Sequence, residues 1–289
     1  MASSGQKIFL DYDQAELDRC YDQRAWASNA DEMIRLWTER SAATQARLKP
    51  RANVAYGPTA DEVLDIYPVA TAGRPILIFI HGGRWQSLSK DDSCLGADAW
   101  IDAGVNYIAL NFAQIPKVRL PEMVAQVRSA VAWVYRNAAS FGGDPARIYV
   151  EGHSSGGHLA GCVAVTDWSE HGLPPDVVKG SICASGMFDL HPVMLSSRSQ
   201  FLKLTPAEEA ALSPMKHLDL IAGPVVVTYG EKETPEFKRQ ADDFAAALEK
   251  IGKLAGLVME PGVNHFEMGM VLADADSQVN RVARKMIGQ

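Results

Sequence analysis

The chain has 289 residues, of which 47% are hydrophobic and 22% are charged, and its formal net charge is -7. The length and the hydrophobic fraction suit one α/β domain with a substantial core. Because the charge balance is acidic and no basic stripe is present, we expect neither nucleic acid nor an anionic membrane as a partner.

The opening stretch, residues 14–48, is polar with apolar residues at helical spacing and predicts one or two helices. The run ASNAD interrupts this pattern, and Asn29 or Asp31 is placed to cap a second helix. We expect residues 1–50 to form an N-terminal helical segment that packs across the top of the core as a partial lid. Residues 51–289 are expected to form the core of the same domain.

After this segment, short apolar runs alternate with amphipathic stretches. The turn-forming PTAD joins the first two runs, which predicts an antiparallel hairpin. The predicted strands are NVAYG, VLDIYPV, PILIFIHGG, VNYIALNF, RIYVEG, GSICAS, PVVVTYG and LAGLVME. Nearly continuous apolar strands separated by helices are typical of a mostly parallel sheet covered on both faces, so the sequence predicts a doubly wound α/β fold.

A short motif, Gly152-His153-Ser154-Ser155-Gly156, fits G-x-S-x-G in a single register with Ser154 at its centre. The strand RIYVE before it and small residues after it provide the strand-turn-helix setting that a nucleophile elbow needs. A strained turn requires small neighbours two residues to either side, and both are glycines. The motif therefore predicts Ser154 as a nucleophile above the carboxyl edge of the sheet; its alternative is a glycine-rich turn without chemistry.

A second run, IFIHGGRW, places two glycines directly after a buried strand. Glycines there let backbone amides approach a substrate, so the amides of Gly83 and Arg84 are predicted to form an oxyanion hole with the amide of Ser155. The Ser155 side chain is expected to be incidental. Gly82 and Trp85 are the candidate substrate-binding residues; for Trp85, packing of the indole beneath the loop is favoured over lining the acyl pocket.

The general base is expected to be a histidine in a loop after the last strand. His265, in LVMEPGVNHFEM, is flanked by turn residues and followed by a helix. With a nucleophile elbow the chain order is serine, acid, histidine, which favours His265 over histidines that precede the acid candidates. These competitors are His191 and His217. His171 lies in the exposed-looking SEHGLPP, and His81 is expected to hydrogen-bond within its own loop.

The third member is a carboxylate that orients the imidazole and stabilises its charged form. The loop after the penultimate strand carries Glu231, Glu233 and Glu236, and Asp189 after the preceding strand is an alternative. Glu231 directly abuts the strand, and Glu236 is expected to begin the next helix, where its charge suits the N-terminus. Glu233 is therefore the predicted acid; the alternative for each glutamate is a solvated loop charge.

With these residues identified, the chain resembles α/β-hydrolases of the esterase/lipase type and, among them, the kynurenine formamidase (arylformamidase) family. The resemblance runs from about Tyr12 to the C-terminus. It is carried by HGGRW, GGDPARIYVEGHSSGGHLAG, SGMFDLHPV, YGEKETPEFKRQ and NHF. It implies the α/β-hydrolase fold, Ser154 as nucleophile, His265 as base, and an acid at Glu233, where the family pattern has an aspartate.

Motifs and resemblance together predict a serine hydrolase that cleaves an aryl-amide or formamide bond, as in N-formylkynurenine, through an acyl-enzyme. An alternative that uses the same residues is a carboxylesterase acting on small aromatic or short-acyl esters. A more distant alternative is a non-catalytic binding protein that keeps the α/β-hydrolase shell. The predicted reaction needs no metal and no organic cofactor, and we expect none.

Further expectations concern location and partners. The N-terminus has no apolar stretch of signal-peptide length, no later run is long enough to span a bilayer, and four scattered cysteines form no CxxC pair. We therefore expect free thiols in a cytoplasmic protein. Only His153 and His158 lie close together among seven histidines, which argues against a metal cluster. The expected partner is a small-molecule substrate, and a homodimer is left open.

Overall fold

The computed structural model describes residues 6–289, so the first five residues of the predicted N-terminal segment lie outside the described residues. Within that range one sheet holds β1 (Arg51–Ala55), β2 (Val63–Tyr67), β3 (Arg74–Ile80), β4 (Asn106–Leu110), β5 (Gly143–His153), β6 (Val178–Ala184), β7 (Val225–Gly230) and β8 (Leu254–Glu260). Across the sheet the order is β1-β2-β4-β3-β5-β6-β7-β8.

The strand directions place one functional edge. β2 runs antiparallel to β1 and to β4, which confirms the predicted hairpin, and all neighbours from β4 to β8 are parallel. The carboxyl ends of the parallel strands therefore meet at the same edge. From β3 the chain continues to β4 on one side of β3, and then crosses over to β5 on its other side. In open α/β sheets, such a reversal of strand order leaves a crevice beyond the strand ends, where ligands bind.

Helices cover both faces of this sheet. In residues 6–289 they are α1 (Gln14–Cys20), α2 (Ala30–Leu48), α3 (Ala97–Asp102), α4 (Leu120–Asn137), α5 (Ser155–Ala164), α6 (His191–Leu195), α7 (Ser199–Leu202), α8 (Pro206–Ala211), α9 (Pro235–Lys250), α10 (Met268–Ala273) and α11 (Gln278–Ile287). Helix α9 shows why they form: the Thr234 side chain caps its first turn, Pro235 begins it, and the apolar Phe237 and Phe244 lie on its buried face.

The core has two layers because side chains alternate along each strand. In β3, Ile76, Ile78 and Ile80 pack on the side of α4, α5 and α9. Leu77 and Phe79 point the other way, toward α3 and α11. Burying each such side chain stabilises the fold by about 1.5–3 kcal/mol. The doubly wound architecture is confirmed.

The N-terminal helices are tied to the loop after β8. Asn29 directly precedes α2, but its side chain does not cap the helix. Instead its amide donates to Glu267 Oε1 (2.9 Å) and its carbonyl oxygen accepts from the amide of Asn264 (2.9 Å). In α2, Trp37 stacks on Phe266 with 6.2 Å between ring centroids. The predicted break before the second helix is confirmed, while the predicted capping bond is replaced by a long-range contact.

The sequence also led us to expect free thiols and no membrane-spanning segment. All four cysteines are buried and unpaired, namely Cys20, Cys94, Cys162 and Cys183. Burial raises the pKa of the Cys162 thiol to about 12, so this side chain stays protonated and behaves as a small apolar group. No helix within residues 6–289 has the length and apolar character needed to cross a bilayer.

Candidate active site

The chain turns sharply between β5 and α5, and Ser154 lies in the turn. Its φ of 60° and ψ of -122° belong to a region that residues with a side chain rarely adopt. A Cβ on Gly152 would lie 2.1 Å from the carbonyl oxygen of Gly156, and one on Gly156 would lie 2.0 Å from that of Ile80. The Ser154 amide donates to the carbonyl of Ala184 (2.9 Å). The motif is therefore a strained elbow held against the sheet.

Three side chains from three loops meet at the carboxyl edge of the sheet. His265 Nε2 lies 2.8 Å from Ser154 Oγ, and His265 Nδ1 lies 2.8 Å from Glu233 Oε2. The exposed fractions are 9% for Ser154, 4% for His265 and 1% for Glu233. Since the carboxylate accepts the Nδ1–H, Nε2 is left to accept the serine hydroxyl proton. The structure brings together the residues predicted as nucleophile, base and acid.

The Glu233 carboxylate accepts three hydrogen bonds besides the one from His265. Oε1 accepts from Ser185 Oγ (2.5 Å) and from the Gly230 amide (2.9 Å). Oε2 also accepts from Gln23 Nε2 (3.2 Å), which comes from a short 3-10 helix between α1 and α2. Hydrogen bonds to the charged form of a carboxylate stabilise that form. The network therefore fixes the position of the carboxyl group beside the imidazole.

Sequence reasoning missed both side chains of this network. Ser185 follows β6 and so ends at the same sheet edge as the other site residues, a position that could have identified it. Gln23 lies 210 residues from Glu233, and no motif surrounds it. Only the packing of the N-terminal segment brings its amide to the carboxylate.

The other glutamates of the loop have partners of their own. Glu231 Oε2 accepts from the Gly262 amide (2.7 Å). Glu236 lies in the first turn of α9, as expected from its charge, and accepts from Tyr21 Oη (3.0 Å) and from Arg239. Neither carboxylate contacts His265.

The alternative acid and the alternative bases also point elsewhere. Asp189 Oδ1 accepts from the His191 amide (3.0 Å), and His191 Nδ1 lies 3.3 Å from Glu209. His217 Nε2 bonds to the carbonyl of Ala210 (2.9 Å). None of these groups contacts Ser154 or the residues bonded to it.

The loop after β3 presents free amides beside the elbow. Gly83, Arg84 and Trp85 all have positive φ values, of 104°, 60° and 60°. Among residues 6–289 no acceptor takes the amide hydrogens of Gly83, Arg84 or Ser155. The Ser155 amide is free because it lies in the first turn of α5. These are the three amides predicted for the oxyanion hole.

The Ser155 side chain corrects one expectation. Its Oγ accepts a hydrogen bond from the Trp85 amide (3.1 Å) and so joins the loop after β3 to the elbow. The prediction that this side chain is incidental was wrong. His81 fits its expected structural role, since its Nδ1 bonds to the carbonyl of Gly82 (2.8 Å) and its ring stacks on Phe112. Burial lowers the pKa of His81 to about 4, so the ring is neutral.

Ser154 and His265 line a cavity of about 440 Å³, a size typical of small-molecule sites. Gly83 and Arg84 also line it, whereas Gly82 and Trp85, which were assigned to substrate binding, do not. Part of the wall comes from the N-terminal segment, through Tyr21, Asp22, Gln23, Arg24, Ile34 and Trp37.

Gly82 and Trp85 both lie under the loop, as favoured for Trp85 and contrary to the substrate-binding assignment of Gly82. Trp85 is 1% exposed, and its ring meets His158 edge-on at 5.4 Å. Its positive φ directs the side chain into the core. A Cβ on Gly82 would lie 2.8 Å from the carbonyl oxygen of His153, so this glycine allows the loop to approach the nucleophile strand. The structure places both residues as supports of the loop.

Two buried titratable groups stand behind the elbow on β5. The His153 ring lies 4.8 Å from the His265 ring, and burial holds its pKa well below the usual range, so it is neutral. Burial likewise raises the pKa of Glu151 to about 8, which keeps this carboxyl protonated at pH 7. The ring that lies next to His265 on this side, that of His153, therefore carries no charge at neutral pH.

Comparison with known proteins shows what the chain is similar to. The family model described as BD-FAE matches residues 64–186. A kynurenine formamidase of Salmo salar is 32% identical over 96% of this chain and 98% of its own length. A kynurenine formamidase of Danio rerio is 31% identical over 95% and 96%.

Solved structures agree with the fold. A protein of a Silicibacter species that is provisionally described as a thioesterase has a TM-score of 0.82 at 24% identity, covering 92% of this chain and 98% of that one. The thermostable carboxylesterase EstE1, from a metagenomic library, has a TM-score of 0.68 at 19% identity, covering 90% and 97%. At these identities the likeness concerns the fold alone.

Proposed function

Since the chain belongs to the kynurenine formamidase family of α/β-hydrolases, we propose that it cleaves the formamide bond of an N-formylated arylamine such as N-formylkynurenine. The chain is a hydrolase that acts on formamide or ester bonds, which leaves no place for the non-catalytic alternative. The proposal concerns its substrate and the residues that carry the reaction.

One observation supports the proposal most directly. An unbroken chain of hydrogen bonds runs from Glu233 through His265 to Ser154, and the serine faces a cavity that also receives free backbone amides. Nucleophile, base, orienting group and oxyanion donors are the parts that acyl transfer requires. A structural network would not need to end at a cavity.

In the first step His265 Nε2 takes the proton of Ser154 Oγ as the oxygen attacks the formyl carbon. The carbonyl oxygen becomes an oxyanion and accepts hydrogen bonds from the amides of Gly83, Arg84 and Ser155. Each such donor lowers the barrier by about 3 kcal/mol in enzymes where one was removed. Glu233 stabilises the imidazolium that forms.

The intermediate then collapses. The C–N bond breaks, His265 gives its proton to the leaving arylamine, and a formyl ester remains on Ser154. Water enters next, His265 takes one of its protons, and the hydroxide attacks the ester carbon through the same oxyanion donors. The bond between the acyl carbon and Ser154 Oγ then breaks, and the proton on His265 returns to Ser154 Oγ. Formic acid leaves and ionises to formate in solution, so the free enzyme is restored.

The direct test is Ser154→Ala with N-formylkynurenine, monitored by release of the arylamine and of formate. We expect turnover below about one part in 10⁴ of wild type. Ser140→Ala, an exposed serine outside the cavity wall, is the matched control and should retain wild-type turnover. Retained activity in Ser154→Ala would identify another nucleophile.

A carboxylesterase remains the second candidate function, because the same residues cleave esters and an esterase of Mycobacterium tuberculosis, LipQ, is 29% identical over 70% of this chain. Comparing kcat/KM for N-formylkynurenine with that for p-nitrophenyl acetate and butyrate separates the two. A preference for the formamide supports the formamidase, and hydrolysis of the esters alone supports the esterase.

We further propose that the N-terminal segment forms a partial lid, since its residues supply part of the cavity wall and a donor to Glu233. A cytoplasmic location and a small-molecule substrate as partner are proposed with it, and the buried free thiols are compatible with a reducing compartment. Association of two copies stays a prediction for sedimentation equilibrium.

A further inference from the structure

The cavity wall carries a buried cation without a counter-ion. Arg198, between α6 and α7, is 5% exposed and lines the same cavity as Ser154 and His265. No carboxylate in residues 6–289 forms an ion pair or a hydrogen bond with its guanidinium. Burial lowers its pKa only to about 9, so it is protonated at neutral pH. The rings of Tyr21, Trp85 and Phe237 lie against the guanidinium, each with its centroid 5.7 Å from Cζ, and these cation–π contacts stabilise the charge. Buried charges in proteins are normally also paired with a counter-ion, and none is present here among the described residues.

The hydrogen bonds of this guanidinium leave a defined part of it free. Nε and Nη2 donate to the carbonyl of Tyr21 (3.1 and 2.6 Å), and Nη1 donates to Met187 Sδ (3.3 Å). A guanidinium has five N–H groups, so one remains on each terminal nitrogen. Two N–H groups on neighbouring nitrogens match the two oxygens of a carboxylate.

Other charged side chains on the cavity wall add to the positive charge around Arg198. Arg84 is a second cation on the wall; it lies over the Phe201 ring at 5.1 Å and forms no ion pair with a described residue. Asp22 is the one carboxylate among the lining residues, and it accepts from the backbone amide of Arg24 (3.2 Å). The Asp22 charge acts on Arg198 and favours its protonated form, but no described carboxylate lies within ion-pair distance of Arg198 or Arg84, so the wall near Arg198 keeps an excess of positive charge.

We propose that Arg198 binds a carboxylate of the substrate, so that the favoured substrates are those whose leaving group carries one. The proposal rests on the proposed function, because it specifies the substrate of the same site. A structural role for Arg198 accounts for its bonds to Tyr21, which tie the N-terminal segment down. It does not account for a cation on the cavity wall with two unused N–H groups.

The experiment compares N-formylkynurenine with its methyl ester, which differs only in the carboxylate. The proteins are wild type, Arg198→Met, Arg198→Lys and the control Arg24→Met. Arg24 lies at the same wall but is already paired with Asp31 and is largely exposed. Turnover of p-nitrophenyl acetate, which has no carboxylate, reports folding and acyl transfer in each protein.

We expect wild type to favour the free carboxylate at least tenfold in kcat/KM. Arg198→Met should lose this preference, with p-nitrophenyl acetate turnover changed less than threefold, and Arg24→Met should keep it. Arg198→Lys keeps the charge but not the paired N–H groups, so its preference should fall between. Equal rates for the two substrates in wild type, or an undiminished preference in Arg198→Met, would overturn the proposal.

The carboxylate site can still be tested if formamides are not the substrate. Kynurenine and its methyl ester are then compared as inhibitors of p-nitrophenyl acetate turnover in the same proteins. A tenfold tighter inhibition by the free carboxylate that disappears in Arg198→Met supports the carboxylate site, although the formamidase proposal has failed. Equal inhibition by both compounds in wild type rejects the site by itself. If Arg198→Met does not fold, the wild-type pair and Arg198→Lys decide.

Discussion

Replacing Glu233 by glutamine tests the site with almost no change of shape. Each carboxylate oxygen accepts two hydrogen bonds, Oε1 from Ser185 and Gly230, Oε2 from His265 and Gln23. An amide nitrogen at the Oε1 position would face the Gly230 N–H, which can only donate. At the Oε2 position both partners can become acceptors, the glutamine by rotating its amide and the histidine by changing tautomer. The variant therefore favours the second arrangement.

That arrangement puts the His265 proton on Nε2, where it can no longer accept the proton of Ser154. An Asp-to-Asn change with the same consequence in a serine protease lowers kcat about 10⁴-fold, which corresponds to about 5 kcal/mol of barrier. We expect a loss of the same order in Glu233→Gln. The native fold should persist, because all four hydrogen bonds can be remade.

The assay measures kcat for p-nitrophenyl acetate and for N-formylkynurenine, with circular dichroism melting as the check of folding. Asp189→Asn is the matched control, because Asp189 accepts from the backbone amide of His191 and an asparagine oxygen can do the same. It should stay within about twofold of wild type. A folded Glu233→Gln that keeps more than about a tenth of kcat would refute the assigned tautomer, and a large loss in Asp189→Asn instead would move the acid to that residue.

Three further variants test the surroundings of the site. Ser155→Ala removes the acceptor of the Trp85 amide and should lower the free energy of unfolding by about 1–2 kcal/mol. Because the backbone amide of residue 155 remains, kcat should fall less than threefold. A large loss of kcat at unchanged stability would contradict this expectation. Gln23→Leu removes the longest hydrogen bond to Glu233 and should lower kcat about fivefold, equivalent to about 1 kcal/mol, so an unchanged kcat would show that this bond is dispensable. Glu151→Gln tests the buried carboxyl: its pKa is raised to about 8 in the folded protein against 4.5 as the reference, so its stabilising protonated form is complete below pH 4.5 and is lost as pH rises toward 8. In urea unfolding, wild type should lose up to about 1.4 kcal/mol per pH unit relative to Glu151→Gln across this window, and parallel pH profiles would contradict the assignment.

The positions of the nucleophile, acid and base could be predicted because each of these residues follows the carboxyl end of a strand. Ser154, Glu233 and His265 follow β5, β7 and β8, and parallel strands bring their carboxyl ends to one edge. Once the apolar runs predict such a sheet, residues far apart in sequence are expected to be neighbours. The chain order of serine, acid and histidine then separates His265 from the other histidines without any knowledge of side-chain packing.

The rest depends on backbone conformations and contacts that have no local signal. Trp85 lies just after two glycines beside the nucleophile, a position that favours a buried support but also allows an aromatic pocket wall. Positive φ at Arg84 and Trp85 turns the indole beneath the loop. Asn29 has the composition of a helix cap, yet its side chain finds partners 235 and 238 residues away. Such contacts become visible only when the packing of the whole chain is known.

The glutamate at position 233 shows what the site requires of its acid. Its amide donates to the Gly230 carbonyl (3.0 Å), while the Gly230 amide donates back to its Oε1 (2.9 Å). The loop thus folds back on the end of β7 and accommodates the extra methylene. With Ser185 as a second donor to Oε1, the carboxylate plane is fixed so that Oε2 faces His265. An aspartate would reach the same point only from a backbone closer to the imidazole. The imidazole of His265 requires one carboxylate oxygen at a fixed position. A change between glutamate and aspartate must therefore be accompanied by a change in the loop backbone.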